Sequence, residues 1–117
     1  MLQAGPAVRV TIHLNRDTGA RRGFLPDEIL TFLQTEGVHG ATLIQAHAGY
    51  GSHHHLHRAG AGDVNGLHLP VILYFIEEPS KFDAIRDQLL ELVIDGLVEV
   101  QPTTVLKNTA SHERVIS

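Results

Sequence analysis

Between two polar stretches, Leu69-Pro-Val-Ile-Leu-Tyr-Phe-Ile76 is apolar almost without interruption. A run this short suits one strand rather than a buried helix, and its β-branched and aromatic residues agree with that reading. Successive side chains of a strand point to opposite faces, so this strand is apolar on both sides and needs cover on both. Pro70 belongs at its beginning or on an edge, because it has no N–H to give a ladder.

The flanking segments supply the cover on one side. Val8, Val10, Ile12 and Leu14 alternate with Arg9, Thr11 and His13, which predicts a first strand with one core face and one polar face. From Asn15 to Gly23 the chain is turn-rich, and its charges read as a solvated loop. A helix is expected to begin near Pro26, with Asp27 and Glu28 against the positive end of its dipole and Ile29, Phe32 and Leu33 on one face. Gly37 is placed to end it, with Val38 packing back. A second strand follows Gly40, from Ala41 to Ala48; Thr42, Ile44, Ala46 and Ala48 point one way, Leu43, Gln45 and His47 the other.

After the apolar run, Glu77-Glu78-Pro79 breaks the strand and Ser80 with Asp83 resembles a helix start. Phe82, Ile85, Leu89, Leu92 and Val93 then repeat at helical spacing until Asp95-Gly96. Leu97-Val-Glu-Val-Gln101 predicts a fourth strand, ended by Pro102, with Val105-Leu106 as a short extension. Residues 108–117 read as a polar, flexible C-terminal tail.

The order strand, helix, strand, strand, helix, strand is the split βαβ or ferredoxin-like arrangement, βαββαβ: an α+β fold in which two helices cover one face of a four-stranded antiparallel sheet. The other face is expected to carry Arg9, Thr11 and His13, Gln45 and His47, and Glu99 and Gln101, mixed with Leu43 and Tyr74. Other copies of the chain are the simplest cover for it, and closed symmetry makes them a ring.

One stretch cannot belong to the core. From Gly49 to Gly66 there are five glycines and the histidines His53, His54, His55 and His57, with almost no large apolar residue. Such a loop is too long to be a mere connection and reads as a binding or reporter segment on a rigid scaffold. Neutral imidazoles are common ligands for Zn²⁺, Cu²⁺ or Ni²⁺, and an extended chain puts His53, His55 and His57 on one side. That makes them candidate metal ligands; a tolerated surface loop with incidental metal affinity is the plainer alternative.

Charge and composition exclude other classes. A net charge of −4 and only nine Lys and Arg in 117 residues argue against nucleic acid. With no cysteine there is neither a disulfide framework nor a thiolate metal site. No secretory signal and no run long enough to span a bilayer are visible, so a cytoplasmic protein without membrane insertion is expected.

Several short motifs in their order and spacing resemble the PII-like signalling proteins, and most closely the branch catalogued as domain of unknown function 190. They are Gly40-Ala41-Thr42 after the first helix, Gly49-Tyr50-Gly51 at the base of the long loop, Leu69-Pro70 opening the third strand, and Asp95-Gly96 before the fourth. The resemblance covers residues 7–107, with 49–66 in the place of the family's mobile T-loop. It implies a homotrimer with an adenine nucleotide in the clefts between neighbouring subunits, and that Gly40, Thr42, Gly49, Tyr50, Gly51, Ser52, Asp95 and Gly96 line each cleft. Ser52 stands where nucleotide-binding members have Arg, and Leu97 where they have a phosphate-binding Lys. A nucleotide with fewer phosphates, another small anion, or no nucleotide at all therefore fits the charge better than a polyphosphate.

The function expected from this reading is non-enzymatic regulation: an effector in the cleft changes the loop, and the loop docks on a protein target such as a transporter or enzyme. The alternative is a divalent-metal-binding or cation-tolerance-type protein built on the His53 to His57 cluster. No nucleophile elbow, Walker loop or acid and base pair is present, which ranks an enzyme last.

Overall fold

The structure, a computed structural model, describes residues 1–15, 19–20, 23–50, 57–58 and 69–109, with the backbone alone at 19–20 and 57–58. The elements are β1 (Gly5–Asn15), β2 (Gly19–Ala20), β3 (Gly23–Phe24), α1 (Leu25–Thr35), β4 (Thr42–Gln45), β5 (Ala48–Gly49), β6 (His57–Arg58), β7 (Pro70–Glu77), α2 (Pro79–Leu92) and β8 (Leu97–Val105). Four of the strands form one sheet in the order β4-β7-β1-β8, every pair antiparallel. With α1 and α2 packed on a single face, this is the ferredoxin-like arrangement that the hydrophobic periods predict.

Register decides which side chains share a face. Val10 lies opposite Phe75, Ile12 opposite Leu73 and Leu14 opposite Val71. These pairs meet Leu25, Ile29 and Leu33 of α1 and Phe82, Ile85 and Leu89 of α2 in one buried core. The apolar run of β7 is therefore central, with its odd-numbered residues under the helices. Its even-numbered residues, Ile72, Tyr74 and Ile76, are only partly covered on the open face.

Helix α1 ends as expected, in a Schellman motif. The Val38 N–H donates to the Leu33 carbonyl at 3.0 Å and the Gly37 N–H to that of Gln34 at 3.2 Å, with Gly37 at φ 80°. The Lys81 ammonium of α2 donates to the Glu36 carbonyl, placing a cation at the negative end of α1.

Four expectations are corrected. Strand β4 is only Thr42–Gln45, and its register sets Thr42 opposite Tyr74 and Ile44 opposite Ile72, so those two face the open side. Leu43 and Gln45 share the helix side, and His47 is outside the strand altogether. Pro102 does not end β8: it pairs with Val8, and pairing continues to Val105 opposite Gly5. An outer strand donates on one side only, which lets it hold a proline. Ser80 does not cap α2, which starts with Pro79 in its first turn after Glu78 and has no side-chain cap. Finally, α2 stops at Leu92, ahead of Asp95-Gly96.

The stretch expected to be a loop after β1 carries the small hairpin β2-β3, and the long loop springs from a second one, in which Ala48 pairs with Arg58 and Gly49 with His57. Among the described residues no helix is long and apolar enough to cross a membrane.

Candidate functional site

At one end of the sheet, the last residues of β1, the first of β7 and the turn leading into β8 surround a recess of about 600 Å³. His13, Leu14 and Asn15 form one wall, Asp95, Gly96, Leu97 and Glu99 another, and Pro70 and Tyr50 complete it. Tyr50 is 66% exposed and Leu97 55%, so this end of the molecule offers apolar surface beside polar groups.

Two glycines let the walls come this close. Gly96 has φ +155°, and a Cβ there would lie 2.7 Å from both the His13 carbonyl oxygen and a Leu14 methyl. Only glycine brings the start of β8 against β1 in this way. A Cβ on Gly49 would meet the Pro70 ring at 3.0 Å, which seats the base of the long loop on the start of β7.

The polar side chains of the recess are the carboxylates of Asp95 and Glu99, the His13 imidazole, the Asn15 amide and the Tyr50 phenol. His13 Nε2 and Glu99 Oε1 are 3.0 Å apart across the β1-β8 pair, and Asp95 stands in the turn beside them. No Lys or Arg lines the recess among the described residues.

Of the eight residues expected to line a cleft, Tyr50, Asp95 and Gly96 come together here, with Gly49 packed against the same wall. Gly40 and Thr42 do not join them. Thr42 lies on the opposite outer strand, in a row that runs Thr42, Tyr74, Thr11, Glu99 across the sheet. Three strand spacings separate the ends of that row, about 14 Å. Gly51 and Ser52 lie outside the described residues, as do the candidate metal ligands His53 and His55; His57 is described only as backbone opposite Gly49. Among the described residues no group of three His, Asp or Glu side chains could hold a metal ion.

Sequence reading missed a polar cluster beside Gly40. Glu77 is wholly buried, and its carboxylate accepts three hydrogen bonds: from the His39 N–H at 3.1 Å, the His39 ring Nδ1 at 2.8 Å and the Glu78 N–H at 3.0 Å. Burial by itself raises such a carboxyl. The Glu78 N–H, the His39 ring and the His39 N–H outweigh it and hold Glu77 below its ordinary value of 4.5. The signal was present in the register: Val71, Leu73 and Phe75 face the helices, and position 77 continues their parity.

These features form a ferredoxin-like scaffold with a recess at one sheet end and a fixed turn at the other outer strand. The family profile described as Uncharacterized ACR, DUF190, matches residues 7–105. The chain belongs to the DUF190 family. No curated protein matches this DUF190 chain. Among solved structures it is similar to a nitrogen regulatory PII-like protein from Thiomonas intermedia K12, bound to ADP, AMP and bicarbonate, at 16% identity and a TM-score of 0.65, covering 92% of this chain and 94% of that one. A structure of the same Thiomonas protein bound to ADP and bicarbonate aligns at 19% identity and a TM-score of 0.60, covering 92% and 95%. A protein from Thermus thermophilus described as PII-like matches at 20% identity and a TM-score of 0.62, covering 86% and 90%. The DUF190 chain thus has the PII-like fold.

Proposed function

We propose that this DUF190 protein is a non-enzymatic regulator that assembles as a trimer, binds an adenine nucleotide or another small anion at the seams between copies, and reports occupancy through residues 49–66 to a protein target. The observation that carries the reading is the division of the expected site between the two outer strands. Tyr50, Asp95 and Gly96 stand at the β8 side and Gly40 and Thr42 on the β4 side. One copy cannot close such a site, whereas the β8 end of one copy set against β4 of the next can.

The partly covered open face supports the same assembly. Ile44 is 48% exposed there and continues the row of Ile72, His13 and Leu97. Ile44 and Ile72 on one side of His13 and Leu97 on the other give this row apolar surface that a second copy would cover. The PII-like fold adds the ligand class, since the similar Thiomonas protein is described with ADP, AMP and bicarbonate.

Signalling then requires unequal affinity of the effector for two arrangements of the loop, because equal affinity shifts no population. The loop leaves Gly49 and returns at His57, next to Tyr50 in the recess wall, so an occupant of the recess touches the root of the loop. Titration calorimetry with ADP, AMP and bicarbonate, alone and in pairs, tests the reading. Saturable heat with one site per chain is expected; no heat at millimolar concentration for all of them would overturn it.

A further inference from the structure

His39 pairs with a buried carboxylate through one side of its ring and leaves the other side open. Its ring is partly exposed, while the carboxylate that its Nδ1 meets at 2.8 Å is wholly buried. Glu77 is held below the ordinary carboxylate range and therefore only accepts, which puts the ring hydrogen on Nδ1. In the neutral ring this leaves Nε2, on the far side, as the acceptor. Among the described residues neither a hydrogen bond nor any further interaction engages it. A buried carboxylate that fixes tautomer and ring plane while the other nitrogen stays open is the arrangement proteins use to aim an imidazole at a partner.

Gly40, the next residue, supplies a second and independent observation. Among the described glycines whose surroundings are known, Gly5, Gly23, Gly37 and Gly96 have positive φ, and Gly49 is crowded by Pro70. Gly40 has neither constraint: a Cβ there would meet nothing within 4 Å. No described atom of the single chain lies against this point, which leaves room for a group approaching from outside. Thr42 then places its hydroxyl on the open face of the same outer strand.

We propose that His39 contacts the effector directly, its Nε2 accepting a hydrogen from an amino or hydroxyl group of an adenine nucleotide that lies against Gly40. The inference rests on the regulator reading above and adds to it the residue and the ligand hydrogens it reads. Glu77 is the positioning residue, acting only through the ring.

Calorimetry on the full chain decides it, with ADP, inosine diphosphate, 2′-deoxy-ADP and 3′-deoxy-ADP as probes. The wild-type protein is expected to bind ADP and to lose about tenfold for the one analogue that lacks the hydrogen read by His39, roughly the worth of one hydrogen bond. His39→Ala is expected to bind ADP about tenfold more weakly and to show no penalty for that analogue, because the partner of the missing hydrogen is gone. Equal ADP affinity in His39→Ala, or a weakened affinity with the analogue penalty intact, overturns the proposal. A wild-type protein that binds no probe removes the regulator reading itself, which is a separate outcome. Should His39→Ala fail to fold, the ¹⁵N shift of His39 Nε2 in the wild-type protein serves instead: it moves on ADP addition if the contact exists, and a shift that stays fixed while ADP binds overturns the proposal.

Discussion

Glu77 is the residue on which two turns depend. Its carboxylate joins the turn after α1 to the turn before α2, satisfying the His39 and Glu78 N–H groups and the His39 ring. Glu77→Ala leaves these donors without an acceptor at a buried point and is expected to cost about 3 kcal/mol in urea denaturation. The pH dependence follows from the depressed carboxyl. A glutamate held below 4.5 contributes stability that is complete above that value and lost as pH falls through the native value. Melting temperature is thus expected to decline as pH drops from about 5, and Glu77→Gln to flatten part of that decline. Gly96 and Gly40 make a contrasting pair. Gly96→Ala drives a methyl into the His13 carbonyl at positive φ, with an expected cost of about 2 kcal/mol or more. Gly40→Ala meets no described atom of its own chain and is expected to leave thermal stability unchanged or slightly raised while weakening nucleotide binding. A melting curve and a titration on each variant check both. The resemblance to PII-like proteins marked both glycines; what surrounds each is seen only in the structure.

At the scale of elements, α1 was legible because each of its signals is local. Pro26 in the first turn, Asp27 and Glu28 beside it, and Gly37 after the last turn act over a few residues, and the helix runs Leu25–Thr35 accordingly. Gly37→Ala is expected to cost about 1 kcal/mol by forcing a side chain to φ 80°, measured as a shift in denaturation midpoint at unchanged slope. β4 and β8 were less legible because they are outer strands. Period two says that Thr42 and Ile44 oppose Leu43 and Gln45, but which pair faces the helices depends on the partner strand. Gln45 is exposed although it shares the helix side, since an edge leaves both faces open to water. Pro102 misled for a related reason: a proline ends a central strand, yet β8 has a neighbour on one side only.

At the scale of the whole molecule, the proposed assembly would make the open face a seam between copies. Ile44 contributes nothing to the core of its own chain, so Ile44→Asp is expected to leave folding stability within about 0.5 kcal/mol. In the assembly the same change would bury an unpaired charge. Sedimentation velocity is expected to show a single species of three chains for the wild-type protein and single chains for Ile44→Asp, with ADP binding lost in the variant. A variant that stays assembled and binds ADP normally would show that this face is not the seam.

By itself, the sequence determined the element order, the α+β class and which helix and strand faces turn inward on β1, β7, α1 and α2, because hydrophobic period and turn chemistry are properties of short stretches. The resemblance of its short motifs to PII-like proteins added Gly40, Thr42, Gly49, Tyr50, Asp95 and Gly96 as expected site residues. Only the tertiary structure decided that Tyr50, Asp95 and Gly96 share a recess while Gly40 and Thr42 lie on the far edge, and that Glu77 is buried beneath His39. Both facts arise from the pairing of strands distant in sequence, and that register is fixed by the packed core as a whole.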